Sequence, residues 1–156
     1  MGIERAPTTA PEQSSPETML EDIESLIEAA RYADIEDIKS LVSRGVSLDS
    51  KDSLGRTALH MASANGHLDV VNYLIDSKVD VNAFNEEKNT PLHWACINGH
   101  MEVVKSLILA GASVSALNSH GNTPLDEALR MNNKLEVVDA INQAVTQFEL
   151  QRSTVS

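Results

Sequence analysis

Thr57-Ala58-Leu59-His60-Met61-Ala62, Thr90-Pro91-Leu92-His93-Trp94-Ala95 and Thr123-Pro124-Leu125-Asp126-Glu127-Ala128 are three versions of one hexad, their threonines 33 residues apart both times. Working back by the same step, Leu59 maps onto Leu26, and Ala62-Ser63 maps onto Ala29-Ala30. Working forward within a unit, Gly66-His67-Leu68-Asp69-Val70-Val71 recurs as Gly99-His100-Met101-Glu102-Val103-Val104, and more loosely as Lys134-Leu135-Glu136-Val137-Val138. A fixed period of this length predicts stacked supersecondary units rather than one wound core.

The residues of one unit predict its local structure. Thr90 is a good N-cap, because its hydroxyl can accept from an orphan amide of the first turn. Pro91 follows at the first helical position, where its missing N–H costs nothing. His93, three residues after the cap, can reach back in the manner of a capping box. Asn98-Gly99 ends the helix, glycine taking the left-handed conformation. A second helix is expected from about Met101 to Leu109, stopping at Gly111, and Val114 to Gly121 supply an extended turn into the next unit. The preceding unit follows this plan, except that Lys78 stands where Gly111 stands.

The period and the Thr-Pro-Leu-His-x-Ala signature resemble the ankyrin-repeat family over about Leu20 to Phe148. The resemblance implies an all-α solenoid of four helix-turn-helix repeats joined by short β-hairpin-like turns, at about 20–51, 52–84, 85–117 and 118–150 within a domain of 17–150. A helix pair this short cannot bury its apolar face alone, so stability must come from stacking. The outer repeats read as caps: the first lacks the signature, and the last carries Asp126 in place of histidine. The last helix is expected to bury a stripe of Leu135, Val138, Ile141, Val145 and Phe148, with Asn142, Gln143 and Gln147 facing water. Residues 1–16, rich in Pro, Ser, Thr and Glu, are expected to be disordered. Residues 151–156 are expected to fray.

Composition narrows the function. The formal charge is −11, from 12 basic and 23 acidic side chains, and between Glu17 and Asp37 eight acids face one base, Arg31. Such a field repels nucleic-acid phosphates and anionic lipid and attracts basic partners, although acidic surfaces also serve solubility alone. No apolar run approaches a membrane span. Met1 to Gln13 lacks the apolar stretch of a secretory signal, so none is expected, and Ala6 breaks the acylation pattern that Met1-Gly2 begins. Cys96, the single cysteine, suits a reducing compartment, so a cytoplasmic or nuclear monomer is expected.

Nothing in the sequence predicts catalysis. His60, His67, His93 and His100 recur one repeat apart instead of converging, so neither a metal site nor a cofactor is expected. Cys96 shares a helical face with Leu92 and reads as a small buried apolar residue. There is no His-Glu-x-x-His, phosphate loop or dinucleotide fingerprint.

On each first helix the 3.6 period separates two faces. Leu92, Ala95 and Cys96 form one, matched by Leu59, Ala62 and Ser63. The other carries Trp94, Ile97 and Asn98, with counterparts Met61, Ala64 and Asn65; Glu127, Arg130 and Met131; and Glu28, Arg31 and Tyr32. The family resemblance implies that this second face, together with the turn tips, lines a groove that binds partners. The tips so implied are Ser53, Leu54, Arg56, Phe84, Glu86, Glu87, Asn89, Leu117, Ser119, His120 and Asn122. Trp94 is the expected anchor, being the residue type most enriched at binding hot spots; the alternative is that it packs between neighbouring helices as core. Met61, Ile97, Met131, Leu54 and Phe84 would make the groove partly apolar, with Glu28, Glu86, Glu87 and Glu127 flanking it. Such a groove suits a basic, partly apolar segment.

The stretches Thr57 to His67 and Asn89 to His100 also resemble small acidic ankyrin-repeat chaperones that keep a basic small-subunit ribosomal protein soluble. That likeness implies an escort of a basic, ribosomal-type client, with no direct nucleic-acid contact. A signalling adaptor or inhibitor, and a regulatory subunit of an enzyme complex, are the competing roles.

Overall fold

The computed structural model of the chain describes residues 15–131 and 134–155. Eight helices and no strand occur among these residues: α1 (Pro16–Arg31), α2 (Ile35–Ser43), α3 (Ala58–Ala64), α4 (Leu68–Asp76), α5 (Pro91–Ile97), α6 (Met101–Leu109), α7 (Pro124–Arg130) and α8 (Lys134–Val155). They make four helix pairs. The first helices α1, α3, α5 and α7 pack side by side in chain order; α4, α6 and α8 line up behind them, and α2 packs on α1.

Each inner first helix starts as the hexad predicts. Thr57, Thr90 and Thr123 accept the amide three residues on, and His60, His93 and Asp126 return a bond to the cap amide. Helices α1 to α6 are each followed by a residue in the left-handed region, Ala33, Gly66 and Gly99 after first helices and Gly45, Lys78 and Gly111 after second ones, whereas α7 ends at Met131 in extended backbone. Glycine reaches that region without cost; Ala33 and Lys78 do not. At Gly66 space matters as well, because a Cβ there would lie 2.6 Å from His100 Nδ1.

The core runs continuously through the stack. Leu26, Leu59 and Leu92 are buried in register, with Val70 and Val71 of α4 and Val103 and Val104 of α6 behind them, while Leu125 of the last repeat is half-buried. Ala62, Ala95 and Ala128 are small enough to bring first helices together.

Three sequence expectations are corrected. The buried side of α8 is Val137, Ala140, Ile141 and Ala144; Leu135 is 78% exposed, and Val138, Val145 and Phe148 are half-buried. On that side Ala140 and Ala144 alternate with Val137 and Ile141, so Ile141 is the one residue of the expected stripe that is buried, and α8 packs against α6. The same helix continues through Val155 instead of fraying from 151, with the Arg152 guanidinium 5.8 Å from the Phe148 ring centroid. At the other end α1 begins earlier than expected, since Ser15 caps it by accepting from the Thr18 amide and Pro16 takes the first helical position. Residues 1–14 of the expected disordered tail lie outside the described residues.

The connecting turns are built alike, without strand pairing. Asp52 Oδ1 accepts from the amides of Leu54 and Arg56, Asn85 Oδ1 from Glu87 and Asn89, and Asn118 Oδ1 from His120 and Asn122. Main-chain bonds then join turn to turn: the Glu86 amide donates to Leu54 O at 3.1 Å, and the Ser119 amide to Glu87 O at 2.8 Å.

Candidate protein-binding face

The histidines are spent on holding the stack. His60 Nδ1 accepts from the Thr57 amide, so Nε2 carries the proton and donates to Asn89 O in the following turn. His93 repeats this with Thr90 and Asn122 O. His67 and His100, at the starts of second helices, bond backwards through Nε2 to Arg31 O and Ala64 O. Burial lowers the pKa of His60 to about 4, although the Asn89 carbonyl opposes the shift. His93 is lowered for the same reason, against the opposing pull of Asn122 O. Cys96 is fully buried and its thiol is pushed up to about 12, far from a nucleophile. Among the described residues no three His, Cys, Asp or Glu side chains gather as metal ligands. No described helix is long and apolar enough to cross a membrane.

The proposed binding residues divide into a surface set and a structural set. Tyr32, Leu54, Phe84, Leu117 and Met131 are exposed apolar groups, with Tyr32 the most open at 68%. Glu86, Glu87, Asn98 and His120 are exposed too, and Ile97 is half-buried. Trp94 lies between the two alternatives: half-buried against the core, its ring set edge-on to His60 at 5.3 Å between centroids. Part of the indole stays open to a partner, while the rest braces a histidine of the stack.

Other expected groove residues serve the fold. Met61 is only 7% exposed and belongs to the core, on a helix packed between α1 and α5. Arg56 turns back to Asp52, Nε to Oδ2 at 2.8 Å. Burial would raise the Asp52 pKa, but bonds from Arg56 and the Leu54 amide outweigh it and hold the carboxyl below its usual range. Asn65 donates to Met61 O of its own helix, and Asn98 donates to Ala64 O one repeat back.

The flanking acids are corrected in part. Glu127 is buried, with Oε2 accepting from Asn118 Nδ2 and Asn122 Nδ2 and Oε1 from Arg130 Nη1 at 3.1 Å. Its pKa is lowered, those bonds outweighing a burial effect of opposite sign. Asn118 also donates to Asn89 Oδ1, so this buried network ties the third turn to the second. Glu28 pairs with Arg31 at 3.6 Å, and in the first repeat Asp22 binds Arg44 at 2.8 Å. Glu86 and Glu87, by contrast, enter no ion pair among the described residues.

The polar scaffold of the turns was missed in the sequence. Its signal was present: Asp52, Asn85 and Asn118 stand 33 residues apart, in phase with the threonines.

The repeated pairs and their turn scaffold define a stacked-repeat protein whose variable surface residues sit on a constant frame. The family model described as ankyrin repeats matches residues 26–118 and 83–144, and the chain belongs to the ankyrin-repeat family. It is similar to Serine/threonine-protein kinase 12 of Arabidopsis thaliana, 40% identical over 85 residues that cover 49% of this chain and 18% of that protein. A Putative ankyrin repeat protein of Rickettsia bellii is 43% identical over 60 residues, covering 37% of this chain and 33% of the other. Protein phosphatase 1 regulatory subunit 27 of Homo sapiens is 36% identical over 62 residues, 40% of each chain. The chain thus spans at most 40% of the length of these relatives. Ankyrin repeats of this kind make a protein–protein interaction module, a frame that is typically non-catalytic.

Proposed function

We propose that this module binds a basic, partly apolar protein segment along the face bearing Tyr32, Trp94, Ile97, Met131 and the turn tips, and that it escorts a basic client of ribosomal-protein type. The observation that carries this reading is the second turn. There, two unpaired carboxylates, Glu86 and Glu87, stand among the exposed apolar groups Leu54, Phe84 and Leu117, on a chain of net charge −11. Such a surface supplies apolar contact for affinity and negative charge for steering a cationic partner.

The test mixes the purified chain with individual purified basic small-subunit ribosomal proteins. One of them should form a complex that weakens steeply with salt and should stay in solution where it aggregates alone. If each is bound no better than by an unrelated protein of equal negative charge, the escort role fails. A second reading, a regulatory subunit of an enzyme complex, is favoured by the likeness to Protein phosphatase 1 regulatory subunit 27. Copurification with a catalytic activity supports that one.

A further inference from the structure

Segments 82–90 and 113–117 leave an open slot of about 310 Å³ between them, with Phe84 and Leu117 as walls and Ala116 and Thr90 among the other lining residues. That volume admits one large apolar side chain. The one charged residue that lines it is basic, on an acidic chain, with Glu86 and Glu87 preceding it in the turn. Lys88 lines the slot, and Lys51 lies beside the Phe84 wall, its Nζ 4.8 Å from the ring centroid and donating to Phe84 O at 2.9 Å.

Lys88 is also held at a backbone cost. Its φ is 64°, while the equivalent positions of the other turns are glycines, Gly55 and Gly121, at 79° and 76°. Space at those two glycines differs: a Cβ at Gly55 would come within 3.1 Å of Asn85 Cα and Glu86 N, whereas one at Gly121 would meet nothing within 4 Å. Lys78 shares the left-handed backbone, but Lys88 also lines the slot and makes no ion pair among the described residues, which points to a role for its side chain.

We propose that this slot receives a large apolar side chain of a partner segment that carries a side-chain carboxylate next to it, with Lys88 as the carboxylate's counter-ion. The inference rests on the reading that this face binds protein, and it deepens it. A basic client is drawn in by the whole field, and one acidic residue beside its apolar anchor sets the register at the slot. Exposed surface continues beyond the slot to Leu54, whose carbonyl takes the Glu86 amide, and a segment long enough to cross both presents its carboxylate from a side chain.

The experiment titrates the full, isotope-labelled chain with three blocked dipeptides, acetyl-leucyl-aspartyl-amide and its asparaginyl and lysyl counterparts, and reads backbone amide shifts. Changes should gather at Phe84, Lys88, Ala116 and Leu117. The aspartyl peptide should bind about 2- to 5-fold tighter than the asparaginyl one, the range of an exposed ion pair. That preference should vanish in Lys88→Gly, a variant whose backbone suits its φ and which therefore keeps the fold. Equal binding of the aspartyl and asparaginyl peptides overturns the assignment, as does an aspartyl preference that survives in Lys88→Gly, or a set of shifts elsewhere or none. Acetyl-leucine binding as tightly as the aspartyl peptide would move the carboxylate to a chain terminus and equally overturn it. A salt-sensitive complex with a basic protein, persisting when the slot fails, leaves the broader reading standing; loss of both removes the face.

Discussion

His60 Nε2 lies 2.8 Å from the main-chain oxygen of Asn89, one repeat onward, while its Nδ1 takes the amide of Thr57 at 3.1 Å. This arrangement needs a neutral ring with the proton on Nε2. Protonating Nδ1 would turn an acceptor into a donor facing the donor amide of Thr57, inside a fully buried site.

Acid should therefore loosen the stack. In the unfolded chain His60 takes a proton near pH 6.5, whereas in the fold it resists until about 4. Its contribution is complete above pH 6.5, is lost as pH falls toward 4, and stays lost below. The loss is on the order of 3 kcal/mol for a shift of this size. His93 adds in the same direction. Urea unfolding at pH 7, 5.5 and 4.5 reads it, and His60→Gln should flatten the trend. A midpoint unmoved across that window would show that the histidines do not support the stack.

Backbone conformation gives a pair of opposite effects. Gly66→Ala places a Cβ 2.6 Å from His100 Nδ1 in a left-handed residue, so His100 must shift away from Ala64 O. A loss of more than about 1 kcal/mol is expected. Lys78→Gly relieves a φ of 70° and should gain up to about 1 kcal/mol. Thermal melts of both variants check the signs, and a stabilising Gly66→Ala would contradict the packing described.

Cys96 offers a probe of cooperativity. Its thiol is buried and raised to about 12, so a thiol reagent at pH 8 meets almost no thiolate in the folded state. Labelling should proceed no faster than opening of the stack and should accelerate in urea along the unfolding curve. Rapid labelling of the native chain would mean that α5 opens by itself.

The frame was legible in the sequence because repetition amplifies it: the caps, the helix ends and the register of Leu26, Leu59 and Leu92 each recur. What was not legible lies where a residue faces two environments. Met61 and Trp94 share a repeat position, yet Met61 is buried while Trp94, one repeat on, stays half open. Glu127 reads as a surface acid until Asn118 and Asn122 close over it. The buried stripe on α8 differs from the expected one because an apolar period does not count alanine as core, and Ala140 and Ala144 join Val137 and Ile141 on the buried side.

Anchor and steering roles on the binding face separate by mutation. Leu92 is fully buried between neighbouring repeats, and Leu92→Ala should cost about 2–5 kcal/mol of stability. Trp94 is half-buried and gives up less packing, so Trp94→Ala should cost less than Leu92→Ala in urea unfolding while weakening client binding by about 2 kcal/mol or more. His60 loses an edge-on ring contact in that variant, which sets the part of the cost that concerns folding. Charge reversal at Glu86 and Glu87 leaves the core untouched. It should slow association with a basic client and flatten its salt dependence, leaving dissociation nearly as it was, because rim charges act mainly on encounter. Stopped-flow rates over a salt series, set beside the unfolding midpoints, distinguish the two roles. Should Trp94→Ala fold normally and bind at full strength, the client uses a face other than this one; should it unfold the chain, the exposed part of the indole is no anchor, and the apolar contacts at Phe84 and Leu117 would have to carry the affinity.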